Sequence, residues 1–256
     1  MDSLSAPSLL QEIALEPSWT QAPYIDDTPL IDVATLIAGA RRAVIVAPHP
    51  EDQVLGTGGL LVEFAYFGLD TQIIAVTDGE ASQFAQQQIT RAGMRDKRLT
   101  EAVQALTALG FDTESVQRLL IPDGQVCEHQ DELARKLAAL LRPGDVVFTT
   151  WWDSHPDHAA CNRAVEQAVY GRGSALREAP VCMWNWADPD DPLLPHDRAV
   201  RVSLGAEAVA RKRRALNLFD SQLRAAPDAA GCPLLSEHTL ERFSRPYETL
   251  LYAPDV

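Results

Sequence analysis

The chain has 256 residues, of which 46% are hydrophobic and 23% charged, with 14 glycines and 17 prolines, a composition that supports a full core and argues against extended disorder. Its formal net charge of −14 repels phosphate backbones and anionic lipid surfaces, whose binding depends on clustered Lys and Arg, so nucleic acid is not an expected partner. Four cysteines, Cys127, Cys161, Cys182 and Cys232, lie far apart with no Cys-x-x-Cys pair, which speaks against a thiolate zinc site or a disulfide framework and fits a reducing compartment.

The start, Met1-Asp2-Ser3, lacks a basic region followed by an apolar core, and no stretch approaches the roughly 18 apolar residues of a membrane span. A soluble, cytoplasmic protein without stable membrane insertion is expected. Residues 1–40 carry Pro7, Pro17, Pro23 and Pro29 among short apolar pieces, which suits an arm packed on a domain. Residues 41–256 are expected to form one domain, since α/β domains reach about 250 residues as single units. The β-branched run Ala43 to Ala47 reads as a strand buried on both faces. A helix follows from about Gly58 to Phe67, with Gly68 as its stop.

The alternation then repeats. Gln72 to Val76 reads as strand, Arg91 to Leu109 as helix closed by Gly110, and Arg118 to Ile121 as strand. Asp131 to Leu141 reads as helix, closed by Arg142-Pro143-Gly144, and Asp145 to Thr150 as strand. An apolar run Pro180 to Trp186, a run Ala199 to Leu204 and a helix from about Ala206 to Phe219 complete the pattern. Within the last helix, Arg211, Lys212, Arg213 and Arg214 read as a solvated face. Alternating segments of these lengths imply an α/β fold: a Rossmann-like open, mostly parallel sheet with right-handed crossovers and helices on both faces.

Ligands of such sheets lie outside the carboxyl ends of the strands, near the point where strand order reverses. The two most polar loops open on that edge. The first reads Pro48-His49-Pro50-Glu51-Asp52-Gln53, and His49 and Asp52, three apart, can aim at one point from a turn entering a helix. The second reads Asp153-Ser154-His155-Pro156-Asp157-His158. Two histidines and one carboxylate with an open position make a catalytic zinc site. The same set also occurs in non-haem iron oxygenases, although a spare carboxylate beside the ligands suits hydrolysis better. A dinucleotide site at Gly56-Thr57-Gly58 with Asp78 fits poorly, because the glycines do not follow their strand directly and Leu61 stands where a third glycine should.

These segments resemble the LmbE-like or PIG-L family of zinc-dependent N-acetylglucosaminyl deacetylases, whose hallmarks are His-Pro-Asp-Asp-Glu after the first strand and His-Pro-Asp-His further on. The second motif is intact here. Leu55 to Gly59, Thr77-Asp78-Gly79, the helix with Arg98, Glu101, Ala105 and Leu109-Gly110, and Lys212 to Gln222 ending in Ser221-Gln222 resemble further family patterns. The resemblance implies Zn2+ as cofactor, with His49, Asp52 and His158 as its ligands. It also implies Glu51 as general base, a protonated His155 as oxyanion stabiliser and Asp157 as the residue that orients His155.

In the first motif the family Asp-Asp-Glu is Glu51-Asp52-Gln53, a base one methylene longer and a neutral amide in place of the third carboxylate. The implied activity is removal of an N-acetyl group from a small-molecule amino sugar or glycoconjugate. The alternative is a metal-binding module of the same fold without efficient catalysis. Trp151, Trp152, Trp184 and Trp186 flank the active edge, as sugar-stacking platforms or as packing. The sequence leaves oligomeric state open, a homo-oligomer included.

Overall fold

The computed structural model describes Trp19, Ala22 and residues 27–82, 89–191, 194–223 and 235–253. Most of the expected arm therefore lies outside the described residues, as does Cys232. In chain order the first half contains β1 (Leu30–Ile31), α1 (Val33–Leu36), β2 (Arg42–Ala47), α2 (Asp52–Tyr66), β3 (Asp70–Ala75), α3 (Arg91–Leu109) and β4 (Gln117–Arg118). The second half contains α4 (Gln130–Leu140), β5 (Asp145–Thr150), α5 (Pro156–Val169), β6 (Ala175–Ala179) and α6 (Met183–Trp186). It closes with β7 (Ala199–Ser203), α7 (Ala206–Leu216), α8 (Asp220–Leu223), α9 (Glu237–Phe243) and β8 (Tyr247–Tyr252).

The strands form one sheet in the order β1-β7-β8-β6-β5-β2-β3-β4. Among the described strands only β8 runs antiparallel to its neighbours, β6 and β7. Every residue of β2 is buried, because the strand's alternating side chains serve two cores. Ala43 and Ile45 join Leu55, Leu60 and Phe64 of α2 and Leu106 of α3 on one face. Val44 and Val46 join Leu133 and Leu137 of α4 and Ala160 and Val165 of α5 on the other.

The chain leaves β2 toward β3 on one side, while β5 returns to pair with β2 on the other. The strand order reverses there, so the crevice opens between the loops after β2 and β5. Arg42 fixes the register: it stands opposite Asp145 and donates to both its carboxylate oxygens, at 3.0 and 2.7 Å.

Helix α3 and strand β5 begin and end where the sequence pattern puts them. Gly110 supplies the left-handed C-cap of α3, at φ 84°, which costs glycine least. Helix α2 starts at Asp52, earlier than the glycine-rich stretch suggests. Those glycines serve close packing: a Cβ on Gly56 would lie 2.7 Å from the Ala179 Cβ, and one on Gly59 would collide with the Leu204 side chain. Set inside a helix, Gly56-Thr57-Gly58 cannot form a dinucleotide-binding turn. Strand β4 is shorter than expected because Leu120 adopts φ 58°, outside the extended region.

The basic run of α7 corrects the reading of a wholly solvated face. Lys212 is fully buried, donating to Glu248 Oε1 and the Leu55 carbonyl, both at 2.7 Å. Glu248 also accepts from the Gly59 and Leu60 amides at 2.7 and 3.1 Å, so this pair bolts β8 and α7 onto the middle of α2. Burial lowers the Lys212 pKa and raises that of Glu248, each effect opposed by the attraction of its partner. Removing one partner strands the other charge, so Lys212→Met or Glu248→Gln should each cost about 3–5 kcal/mol in chemical denaturation. The double variant Lys212→Met with Glu248→Leu should cost less than either single one; a larger, additive loss would show that the pair is not coupled.

Candidate metal centre

The turn after β2 folds back on itself: the His49 amide donates to Asp52 Oδ2 at 2.9 Å, which sets Asp52 at the first turn of α2, where the helix dipole favours a carboxylate. The loop after β5 enters α5 with His155 as N-cap and Pro156 at the first helical position, the place that best tolerates a missing N–H. His158 follows on that first turn. Because β2 and β5 are neighbours, the two loops meet. Asp52 Oδ2 lies 3.1 Å from His49 Nδ1 and 3.3 Å from His158 Nε2, and those nitrogens are 3.3 Å apart.

Ligand bonds of about 2.0–2.1 Å in a tetrahedral site put neighbouring donors ~3.3–3.4 Å apart. The three donor atoms thus already stand at the spacing of three corners of such a site, and His49, Asp52 and His158 together could hold a metal ion. Carboxylates back both rings. His158 Nδ1 faces Asp153 Oδ1 at 3.1 Å, while His49 Nε2 faces Asp123 Oδ1 at 3.3 Å and Asp157 Oδ2 at 3.4 Å. Such partners orient imidazole ligands and raise their basicity.

Charge follows from this crowding. Burial opposes a proton on His49, but Asp123, Asp157 and Asp52 hold its pKa well above the ordinary value. His158 is raised in the same way by Asp52, Cys182 and Asp153 against its burial. Asp52, despite burial, is kept ionised below the usual carboxylate range by His158 and His49. The centre is a buried anionic nest that attracts positive charge.

His155 sits beside the donors, its ring centroid 4.7 Å from that of His158. Its Nδ1 accepts from the Asp157 amide at 3.2 Å, which leaves any ring proton on Nε2. Burial, reinforced by the charges of His49 and His158, pushes its pKa down to about 4. This direction favours a neutral imidazole over the protonated His155 expected from sequence. The expected pairing of the Asp157 carboxylate with His155 is not what the loop builds either. That carboxylate turns to His49 and accepts from the Gly124 and Val126 amides at 2.8 and 3.2 Å.

Glu51 is bound by Arg98, which also contacts Ser82. Gly79, at φ 72°, makes this possible, since a Cβ there would come within 2.8 Å of the Arg98 guanidinium carbon. Thr77 of the same motif donates to the Pro48 carbonyl at 2.8 Å and ties down the first loop. Glu51, Arg98, His155 and the three donors line one cavity of about 230 Å³. Gln53 is buried beneath it, with Thr57, Thr149 and Thr150, beside a much smaller void of about 10 Å³. A neutral amide is cheaper than a carboxylate in such a place.

Sequence reasoning gave no role to Asp123, Asp153, Arg98 or Cys182. Asp123 carries a signal, a Pro-Asp-Gly turn just after a strand on the active edge, whereas the backbone N–H of Cys182 reaches Asp153 at 2.7 Å from a distant segment. Trp151 and Trp184 are core, packed with Trp19, and Trp152 and Trp186 are exposed and not among the described residues that line the cavity.

Comparison with known proteins covers both loops. Residues 44–169 match the family PIG-L: GlcNAc-PI de-N-acetylase. Over this segment the chain is similar to the PIG-L family. Among curated relatives, the 1D-myo-inositol 2-acetamido-2-deoxy-alpha-D-glucopyranoside deacetylase of Mycobacterium sp. (strain JLS) is 28% identical over 245 residues, covering 75% of this chain and 78% of that one. Among solved structures, the N,N'-diacetylchitobiose deacetylase of Pyrococcus horikoshii superposes with a TM-score of 0.60 at 19% identity, over 84% of this chain and 79% of that one. A 4-carboxy-2-hydroxymuconate hydratase of Pseudomonas putida KT2440 gives 0.57 at 18% identity, over 84% and 98%. These structural likenesses show the fold, and the second shows that the fold also hosts another reaction.

If these three residues are a donor set for a divalent metal, His158→Ala abolishes metal binding. Asp153→Asn, which weakens only the support behind His158, should lower metal affinity by about 10–100-fold. Equilibrium dialysis with elemental analysis checks both, and parent-like metal content in His158→Ala would refute the donor set.

Proposed function

We propose that this chain is a zinc-dependent hydrolase that removes an N-acetyl group from an N-acetylated amino sugar or glycoconjugate. The observation that carries the reading is the triangle of His49 Nδ1, Asp52 Oδ2 and His158 Nε2, at 3.1–3.3 Å, on a cavity that also holds a carboxylate anchored elsewhere. Two imidazoles and one carboxylate, with their rear nitrogens on carboxylates, fit zinc with an open position. A zinc ion held by His49, Asp52 and His158 would supply Lewis acidity, for an amide carbonyl and for lowering the pKa of water to about 7.

The protein's own groups do the rest. Glu51, held by Arg98, accepts the proton as water oxygen attacks the amide carbon, and returns it to the nitrogen as the C–N bond breaks. The products are acetate and a free amine. His155, neutral and with its proton on Nε2, donates to the oxygen on which negative charge develops. The Asp157 amide fixes that tautomer, while its carboxylate holds His49.

Other features support the wider reading. Cys127, Cys161 and Cys182 are free, which suits a reducing cytoplasm. Among the described residues no helix is long and apolar enough to cross a membrane. We place residues 41–256 in one catalytic domain carrying the N-terminal arm, acting on a small molecule or glycoconjugate rather than on nucleic acid.

Glu51→Gln cannot take up the proton, so it should lose turnover by at least about a hundredfold, within the usual range for a positioned base, while zinc content is unchanged. Glu51→Asp, which restores the family residue, should keep activity or raise it. His155→Ala should keep zinc and lose about 10²–10³-fold in kcat. Assays of acetate release beside metal analysis decide this. Full turnover by Glu51→Gln would make Glu51 a bystander, and zinc-loaded protein that releases no acetate from any sugar would establish the metal-binding module instead.

A further inference from the structure

Helix α3 carries Arg98, which lines the cavity, and, three residues on, Glu101. Glu101 is buried and accepts from both the amide and the hydroxyl of Ser221, at 2.8 and 2.5 Å. The Gln222 side chain then donates from Nε2 to the same hydroxyl at 3.1 Å. One end of the Gln222 carboxamide is thereby fixed through the clamp on α8. The other end, Oε1, is buried and has no hydrogen-bond partner, although Gln222 is only 1% exposed.

Gln222 lines the cavity that contains the metal donors, and so does Arg98, whose Nε is also buried without a partner. Buried polar atoms left without partners are rare and need a reason. Here the Glu101–Ser221 clamp aligns a carboxamide whose acceptor has no protein donor, on a residue that lines the cavity holding the reactive groups. A cavity of about 230 Å³ is smaller than the ~300–1,000 Å³ of pockets for drug-sized ligands, which suits one sugar ring.

We propose that Gln222 is a specificity-determining residue, whose Oε1 accepts a hydrogen bond from a ring hydroxyl of the amino sugar, while Glu101 and Ser221 hold it in position. The identity of the sugar rests on the deacetylase reading; the orphaned acceptor does not. A site built to receive a hydroxyl discriminates strongly against an analogue that lacks it, because its own buried acceptor is then left unpaired.

The test uses calorimetric titration of the zinc-loaded full chain with glucosamine, which carries the hydroxyls, and its 3-, 4- and 6-deoxy analogues, each of which lacks one; none contains an acetyl group to cleave. The parent should bind one deoxy analogue about tenfold more weakly than glucosamine. Gln222→Met should bind glucosamine about tenfold more weakly than the parent does and no longer distinguish it from that analogue. Gln222→Glu, which retains an acceptor, should retain the discrimination; if Gln222→Met does not fold, as judged by thermal melting, Gln222→Ala takes its place.

The same discrimination in Gln222→Met as in the parent would overturn the proposal, as would a parent that binds none of these sugars or binds all of them equally. Acetate release from N-acetylated sugars is scored separately. Release without hydroxyl coupling at Gln222 overturns this proposal and leaves the deacetylase reading standing, whereas coupling without release supports the proposal and overturns that reading.

Discussion

The parallel pairing of β2 with β5, locked by Arg42 opposite Asp145, is the constraint on which the centre depends. Each strand contributes one loop, and neither loop holds three donors by itself. A slip of one residue would turn one strand's side chains to the opposite core relative to its partner, so the burial that stabilises the sheet also aligns His49 with His158. The reversal of strand order at this pair then keeps the space beyond the strand ends open for a ligand.

Charge is the second organising element. Asp52, Asp123, Asp153 and Asp157 surround two buried imidazoles, and this density of negative charge requires protons or a divalent cation to balance it. Protons and a metal compete for the same nitrogens, so metal affinity falls as pH falls. Helix α3 is the outer support. Its N-terminal half brings Arg98 to Glu51 and its next turn brings Glu101 to Ser221, so one rigid helix positions groups from two otherwise distant parts of the chain. The longer side chain of Glu51, compared with the aspartate of the family motif, ends in the Arg98 contact.

Much of this was legible in the sequence where local chemistry and global packing agree. The strand from Asp145 to Thr150 and the helix from Arg91 to Leu109 had clean periods and a glycine stop, and both loops carried dense polar signatures at strand ends. What escaped was set by tertiary contacts. The glycines of α2 resemble a loop until Ala179 and Leu204 are seen against them, and Lys212 resembles a solvent-facing cation until Glu248 arrives from the last strand. Strand β8, antiparallel between β6 and β7, could not follow from alternation alone. At the site, the donors were visible as motif residues, but the state of His155 and the direction of the Asp157 carboxylate depend on which amide faces which side chain, and no spacing rule encodes that.

The fold alone does not choose a reaction, as its likeness to a hydratase shows. The account stands on the combination of a metal donor set and a separately anchored carboxylate, and metal-dependent release of acetate tests that combination most directly. The protein is stripped with a chelator, assayed for acetate on a panel of N-acetylated amino sugars and glycoconjugates, and assayed again after one equivalent of zinc is restored. The account predicts that release from at least one substrate disappears on stripping and returns with the single equivalent. Release that survives complete removal of the metal, or a zinc-loaded protein that frees no acetate from any of them, would contradict it.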